Sequence, residues 1–135
     1  MSLEWTIKLA TGFSDIDEQH KELFKKVNDL LNAMKQGKGK DEAMKTVHFL
    51  EEYTVHHFGT EENYMKKFSY PDYKDHKAQH DGLIVDLKKV KQQIEKEGPS
   101  SFLAIELQKN LGDWLTIHIG NVDKLLGAFL QSKTK

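Results

Sequence analysis

With 135 residues, 38% hydrophobic and 30% charged, the chain has the size and composition of one globular domain with a single core. Its 20 basic and 21 acidic residues leave a formal net charge of -1, so no cationic excess drives binding to nucleic acid or to an anionic membrane. Cysteine is absent, which removes disulfides, thiolate metal sites and cysteine nucleophiles together and suits a reducing compartment.

The opening residues, 1–13, carry neither a basic leader nor a long apolar run, and they are expected to form an N-terminal arm rather than a secretory signal. No apolar run anywhere approaches the roughly 20 residues that span a bilayer, so a cytoplasmic protein without membrane contact is expected. The apolar period of Leu23, Phe24, Val27, Leu30, Leu31 and Met34 predicts a first helix over about 17–36, broken by Gly37 and Gly39. Ala43, Val47, Leu50, Thr54 and Met65 share one face of a second helix, about 41–67. Pro71 ends that run, and Leu83, Leu87, Val90 and Ile94 mark a third helix over about 72–96. Beyond Pro99 a fourth, about 100–130, carries Leu107, Leu111, Trp114, Leu115, Val122, Leu125 and Phe129; Lys133 to Lys135 should fray. Four amphipathic helices with short connections imply an all-α fold. It is an up-down-up-down antiparallel four-helix bundle with an N-terminal arm, one domain over 1–135.

The chain has seven histidines, and histidine is the commonest metal ligand among side chains. His20 lies three and four residues before Leu23 and Phe24, on the inward face of the first helix. His57 and Glu61 extend the line of Val47, Leu50 and Thr54, and His76 and His80 run directly into Leu83 and Leu87. His118 follows Trp114 and Leu111 at spacings of four and three. Residues three or four apart share a helix face, so these groups point into the core. Burying each without a partner costs about 1–3 kcal/mol, and more for a charge. A shared metal centre explains them all. His48 and His56 sit about 100° off the inward stripe and belong at the surface or its boundary.

The pieces Asp17-Glu18-Gln19-His20-Lys21, His57-Phe58-Gly59-Thr60-Glu61-Glu62, Met65 with Tyr70-Pro71, His76-x-x-x-His80 and Trp114-Leu115-x-x-His118-Ile119-x-x-x-Asp123 resemble the bacteriohemerythrin family. The resemblance runs from Trp5 through Asp123; Trp5 and Trp114 match aromatic positions of the family, where packing is an adequate explanation. It implies a site of two iron ions with a bridging oxo or hydroxo group. His76, His80 and His118 would bind one iron, His20 and His57 the other, and Glu61 and Asp123 would bridge them. Counting ligands then leaves one position open, on the iron with two histidines, for molecular oxygen. The function implied is reversible oxygen binding by a monomer that is not an enzyme. The alternatives are a sensor acting through a separate partner and an enzyme detoxifying peroxide or nitric oxide. The chain has no Glu-x-x-His, the pattern of carboxylate-rich di-iron proteins, and neutral imidazoles favour the ferrous pair. Leu23, Phe24, Leu50, Leu115 and Ile119 are candidates for an apolar oxygen pocket.

His118 and Asp123 pose a geometric problem. Residues five apart in a regular α-helix differ by about 500°, which leaves them roughly 140° apart around the axis. Either Asp123 reaches in from the flank, or the backbone widens between residues 117 and 124. A π-type turn would do this, and Gly120 lowers its cost. The widened turn is the expectation.

Overall fold

The computed structural model describes residues 3–36 and 39–134, and among them every regular element is helical. A short 3-10 turn, Ile7–Leu9, precedes α1 (Ser14–Lys35), α2 (Lys40–Lys67), α3 (Tyr73–Glu97) and α4 (Ser101–Ile117). A π-turn, His118–Asp123, then joins α4 to α5 (Lys124–Thr134). The expected bundle and the expected widening are both present. No helix among the described residues is long and apolar enough to cross a membrane.

Some boundaries differ from expectation. The first helix starts at Ser14 rather than 17, because Gly12, at φ 83, turns the chain and Asp15 and Asp17 favour a helix N-terminus. The fourth helix continues to Thr134, so Lys133 is helical rather than frayed. Gly37 and Lys135 lie outside the described residues. Ser100 caps α4 by accepting the Leu103 amide at 3.0 Å.

The α2–α3 connection shows how local chemistry sets up the core. Ser69 takes a left-handed conformation, φ 55. Its amide bonds Lys66 O at 3.3 Å and the Tyr70 amide bonds Met65 O at 2.8 Å, a Schellman pattern. That motif brings Tyr70 back against Met65, and both join an apolar cluster with Ile16, Leu126 and Leu130. A larger cluster fills the rest of the bundle with Leu23, Phe24, Val27, Leu30, Val47, Leu50, Leu87, Ile94, Leu107 and Leu115 among its members.

The expected inward stripes of α1 and α2 hold end to end. The stripe beyond His118 does not. Leu125 is 64% exposed, Val122 and Phe129 are half-buried, and Leu126 and Leu130 are fully buried in their place. The extra residue in the π-turn shifts every later position by one, which an α-helical period cannot anticipate.

The N-terminal arm lies along α1. Asn28 grips Leu3 through both its amide (2.9 Å) and its carbonyl (2.8 Å). Asp17 accepts the Thr11 amide at 2.7 Å and its hydroxyl at 2.8 Å. Between these anchors Leu3, Trp5 and Leu9 pack on the larger cluster, and the Lys21 ammonium lies 4.7 Å over the Trp5 ring.

Candidate metal centre

The sequence-predicted polar residues form one layer between the two apolar clusters. His20 projects from α1 between Ile16 and Leu23, and α2 supplies His57 and Glu61 from successive turns. His76 and His80 come from the first two turns of α3, and His118 and Asp123 from the two ends of the π-turn. All seven are between 0% and 2% exposed. His48 and His56 stay outside; His48 Nε2 lies 2.8 Å from Glu52 Oε1 on the exposed face of α2.

The two carboxylates divide their oxygens between two groups of histidines. Glu61 Oε1 lies 2.9 Å from His80 Nε2 and 3.3 Å from His76 Nε2. Its Oε2 lies 3.4 Å from both His20 Nε2 and His57 Nε2. Asp123 Oδ1 lies 3.0 Å from His76 Nε2 and 3.2 Å from His118 Nε2, while Oδ2 lies 3.0 Å from His20 Nε2. Two overlapping constellations result, Glu61–His76–His80–His118–Asp123 and His20–His57–Glu61–Asp123, each with its ligand atoms within 4.8 Å of one another.

These contacts are close but lack hydrogen-bond geometry. Both oxygens of Glu61 and Asp123 and the Nε2 atoms of His20, His76, His80 and His118 are buried without a hydrogen-bond partner. Buried polar atoms are almost always satisfied, so so many unsatisfied donors and acceptors converging on one place mark a cation site. Imidazole and carboxylate ligands suit iron, among other divalent metals. The residues fit such a group.

Three imidazoles are oriented from behind by residues that the sequence reading did not single out. Gln19 Oε1 lies 2.8 Å from His57 Nδ1, Glu62 Oε2 lies 2.9 Å from His80 Nδ1, and Gln79 Oε1 lies 2.7 Å from His118 Nδ1. An acceptor there holds the proton on Nδ1 and leaves the Nε2 lone pair facing the layer. The pattern is directional. Gln19 on α1 orients a histidine of α2, Glu62 on α2 one of α3, and Gln79 on α3 one of the π-turn. Each of the three is next in sequence to a member of the layer, about 100° around its helix, and so faces the neighbouring helix. That adjacency was the available signal. Aromatic rings brace the same imidazoles: Phe58 stacks on His80 at 3.7 Å and Trp114 on His118 at 4.3 Å between centroids.

The electrostatics follow from burial and pairing. Burial disfavours the charged form of His20, but hydrogen bonding and charge from Asp123 and Glu61 outweigh it and raise its pKa to about 9. His76 is raised to about 9 against the same opposition and by the same two carboxylates. Burial alone would raise Glu61, yet His57, His20 and His76 hold it well below the ordinary carboxylate range. Asp123 is held low by His118, His20 and His76 against burial and the charge of Glu61.

The expected pocket residues Leu23, Phe24, Leu50, Leu115 and Ile119 are all buried within the larger apolar cluster.

The Hemerythrin HHE cation binding domain family matches residues 11–130. A bacteriohemerythrin of Methylococcus capsulatus is 35% identical over 96% of this chain and 98% of its own length. A myohemerythrin of Theromyzon tessulatum is 29% identical over 89% of this chain and 87% of its own. Among solved structures, wild-type hemerythrin superposes with a TM-score of 0.83 at 32% identity, covering 95% of this chain and 97% of that one. The family match takes in all four helices and every residue of the buried polar layer, and on that ground the chain belongs to the hemerythrin family.

Proposed function

We propose that this chain holds two iron ions in its buried polar layer and binds molecular oxygen reversibly, as a carrier, store or buffer. The observation that carries the reading is the division of the carboxylate oxygens. Glu61 and Asp123 each offer one oxygen to a group of three histidines and the other toward a group of two. His76, His80 and His118 would hold one ion, and His20 and His57 the other, with the carboxylates and an oxo or hydroxo group between them. The iron pair, when bound, supplies the electrons and the open coordination position that reversible oxygen binding needs.

The chain's own residues do the rest. Fewer donors on the side of His20 and His57 leave room there for a small ligand. Gln19, Glu62 and Gln79 keep three imidazoles in the tautomer that presents Nε2. Leu23, Phe24, Leu50, Leu115 and Ile119 would wall the ligand from bulk water. Among the described residues the other buried polar side chains are Thr11 and Thr54. Thr54 donates its hydroxyl proton to Leu50 O at 2.7 Å, and Thr11 is tied to Asp17. Neither offers a general acid or base to a bound ligand, which favours binding over turnover.

Iron-loaded protein, reduced without air, should gain a visible charge-transfer absorption when oxygen is admitted and lose it when oxygen is removed. Absorption that persists after oxygen removal, or uptake of fewer than two irons per chain, would count against the reading.

A further inference from the structure

The π-turn is an uncommon backbone, and something must hold it in place of the regular helix that competes with it. Asp123 contacts His20, His76 and His118 on the inside. On the exposed side Asn121 Nδ2 donates to Ile117 O at 3.1 Å, occupying a carbonyl that a regular i to i+4 bond would have used. The third flank faces the N-terminal arm. A Cβ built on Gly120 would stand 3.6 Å from Leu9 Cδ2, so Leu9 lies directly over the turn. The arm follows a line of glycines down α4 and α5. A Cβ on Gly112 would meet Leu3 Cδ2 at 2.9 Å, and one on Gly127 would overlap the Thr11 backbone. Both ends of the arm are tied to α1, by Asn28 and by Asp17. Leu3, Trp5 and Leu9 all precede the residues that the family match covers, 11–130.

We propose that the N-terminal arm is a positioning element for the metal layer: Leu9, seated on Gly120, holds the π-turn in the register that turns Asp123 to the face of His118. Without that support the segment relaxes toward an α-helix, and Asp123 swings roughly 140° away from its partners. The inference rests on the proposed role of Asp123 as a bridge between two ions, but the arm's grip on the turn can be read separately.

Leu9→Ala removes the contact and leaves both anchors of the arm. Two quantities are measured: iron per chain, and backbone amide hydrogen exchange over residues 117–124. Exchange in that segment should quicken by about tenfold or more while the amides around His57 in α2 keep their rates. Iron should fall from two per chain to one or fewer, and Leu9→Met should restore both readings. Gly127→Ala displaces the arm at Thr11 with Leu9 unchanged, and it should reproduce the faster exchange. Unchanged exchange and full iron uptake in Leu9→Ala would overturn the proposal. So would equal losses in Leu3→Ala, which trims the arm over Gly112 and would point to general stability instead. If the unsubstituted chain takes up no iron pair, the proposed function fails, while the exchange data still decide the role of the arm.

Discussion

Two segments of the bundle do the same task by different means. Helix α2 brings His57 and Glu61 into the polar layer from positions four apart, through an unbroken run from Lys40 to Lys67. The last helical stretch brings His118 and Asp123 into the same layer from positions five apart, and it does so through a π-turn. In α2 the ligating positions and the apolar stripe share one period, so function and packing agree. In α4 and α5 they cannot share it, and everything after residue 123 is packed one position out of the α4 register. A π-turn therefore lets a fifth-residue carboxylate join the site while the next apolar residues, Leu126 and Leu130, still reach the core.

The largest effect expected is that of removing the metal, which tests whether both segments depend on it. Each buried atom of the layer left without a partner costs about 1–3 kcal/mol, so chelation should lower Tm by on the order of ten degrees or more. Equal Tm values for loaded and metal-free protein, by calorimetry, would rule this out. The two forms should also differ in their response to pH. Metal-free, the layer relies on protonated His20 and His76 against Glu61 and Asp123. Imidazoles raised from 6.5 to about 9 contribute stability that is full below 6.5 and lost as pH rises through about 9. The depressed carboxylates contribute stability that is present above their ordinary range and lost as pH falls through their folded-state values. Metal-free protein should thus be most stable in mildly acidic solution. The loaded protein, which needs unprotonated imidazoles, should lose metal and stability there.

Next in size is a direct test of the shifted register. Leu126→Ala should cost about 2–5 kcal/mol, because it empties a fully buried site. Leu125→Ala should change stability by less than about 0.5 kcal/mol, since that side chain is 64% exposed. Urea unfolding of the pair decides the matter, and the reverse ranking would restore an uninterrupted α-helical period.

A smaller effect is expected behind the imidazoles. Gln79→Leu removes the acceptor that fixes His118 and should weaken iron binding by about 10–100-fold with little change in fold. Gln19→Leu should act in the same way on His57. Competition with a chelator of known affinity measures both, and unaltered affinity would show that packing alone, including the Trp114 ring on His118, orients these rings.

The difference between the two segments also explains what sequence could reveal. Along α1, α2 and α3 the inward face is a plain period, so His20, His57, Glu61, His76 and His80 could be placed in the core by counting. His118 followed for the same reason. Asp123 did not follow from the period at all; only the resemblance required it, and the conflict between the two located the irregular turn. The stripe beyond that turn was misread at Leu125 because an α-helical period was carried through it. Gln19, Glu62 and Gln79 went unremarked because their role depends on which helices are neighbours, a tertiary fact. The course of the arm is of that kind too. Nothing in the spacing of Leu3, Trp5 and Leu9 says that α4 and α5 offer them a line of glycines.

The smallest effect on stability, and the sharpest comparison, should come from deleting Asn121. The deletion leaves four steps between the histidine and the aspartate, the spacing that serves His57 and Glu61 in α2. An uninterrupted α-helix then carries both groups on one face. Because a π-turn adds one residue without turning later positions, losing it returns Leu126 and Leu130 to the core. Stability should change by no more than about 1 kcal/mol, since an ordinary i to i+4 ladder replaces an uncommon one. Iron should still bind at two per chain. The same deletion should also cancel the effect of Leu9→Ala, because no widened turn remains for the arm to hold. A deletion variant that folds but binds no iron would show that the π-turn contributes a reach toward the metals that register alone does not supply, and that α2 and α4 are not interchangeable after all.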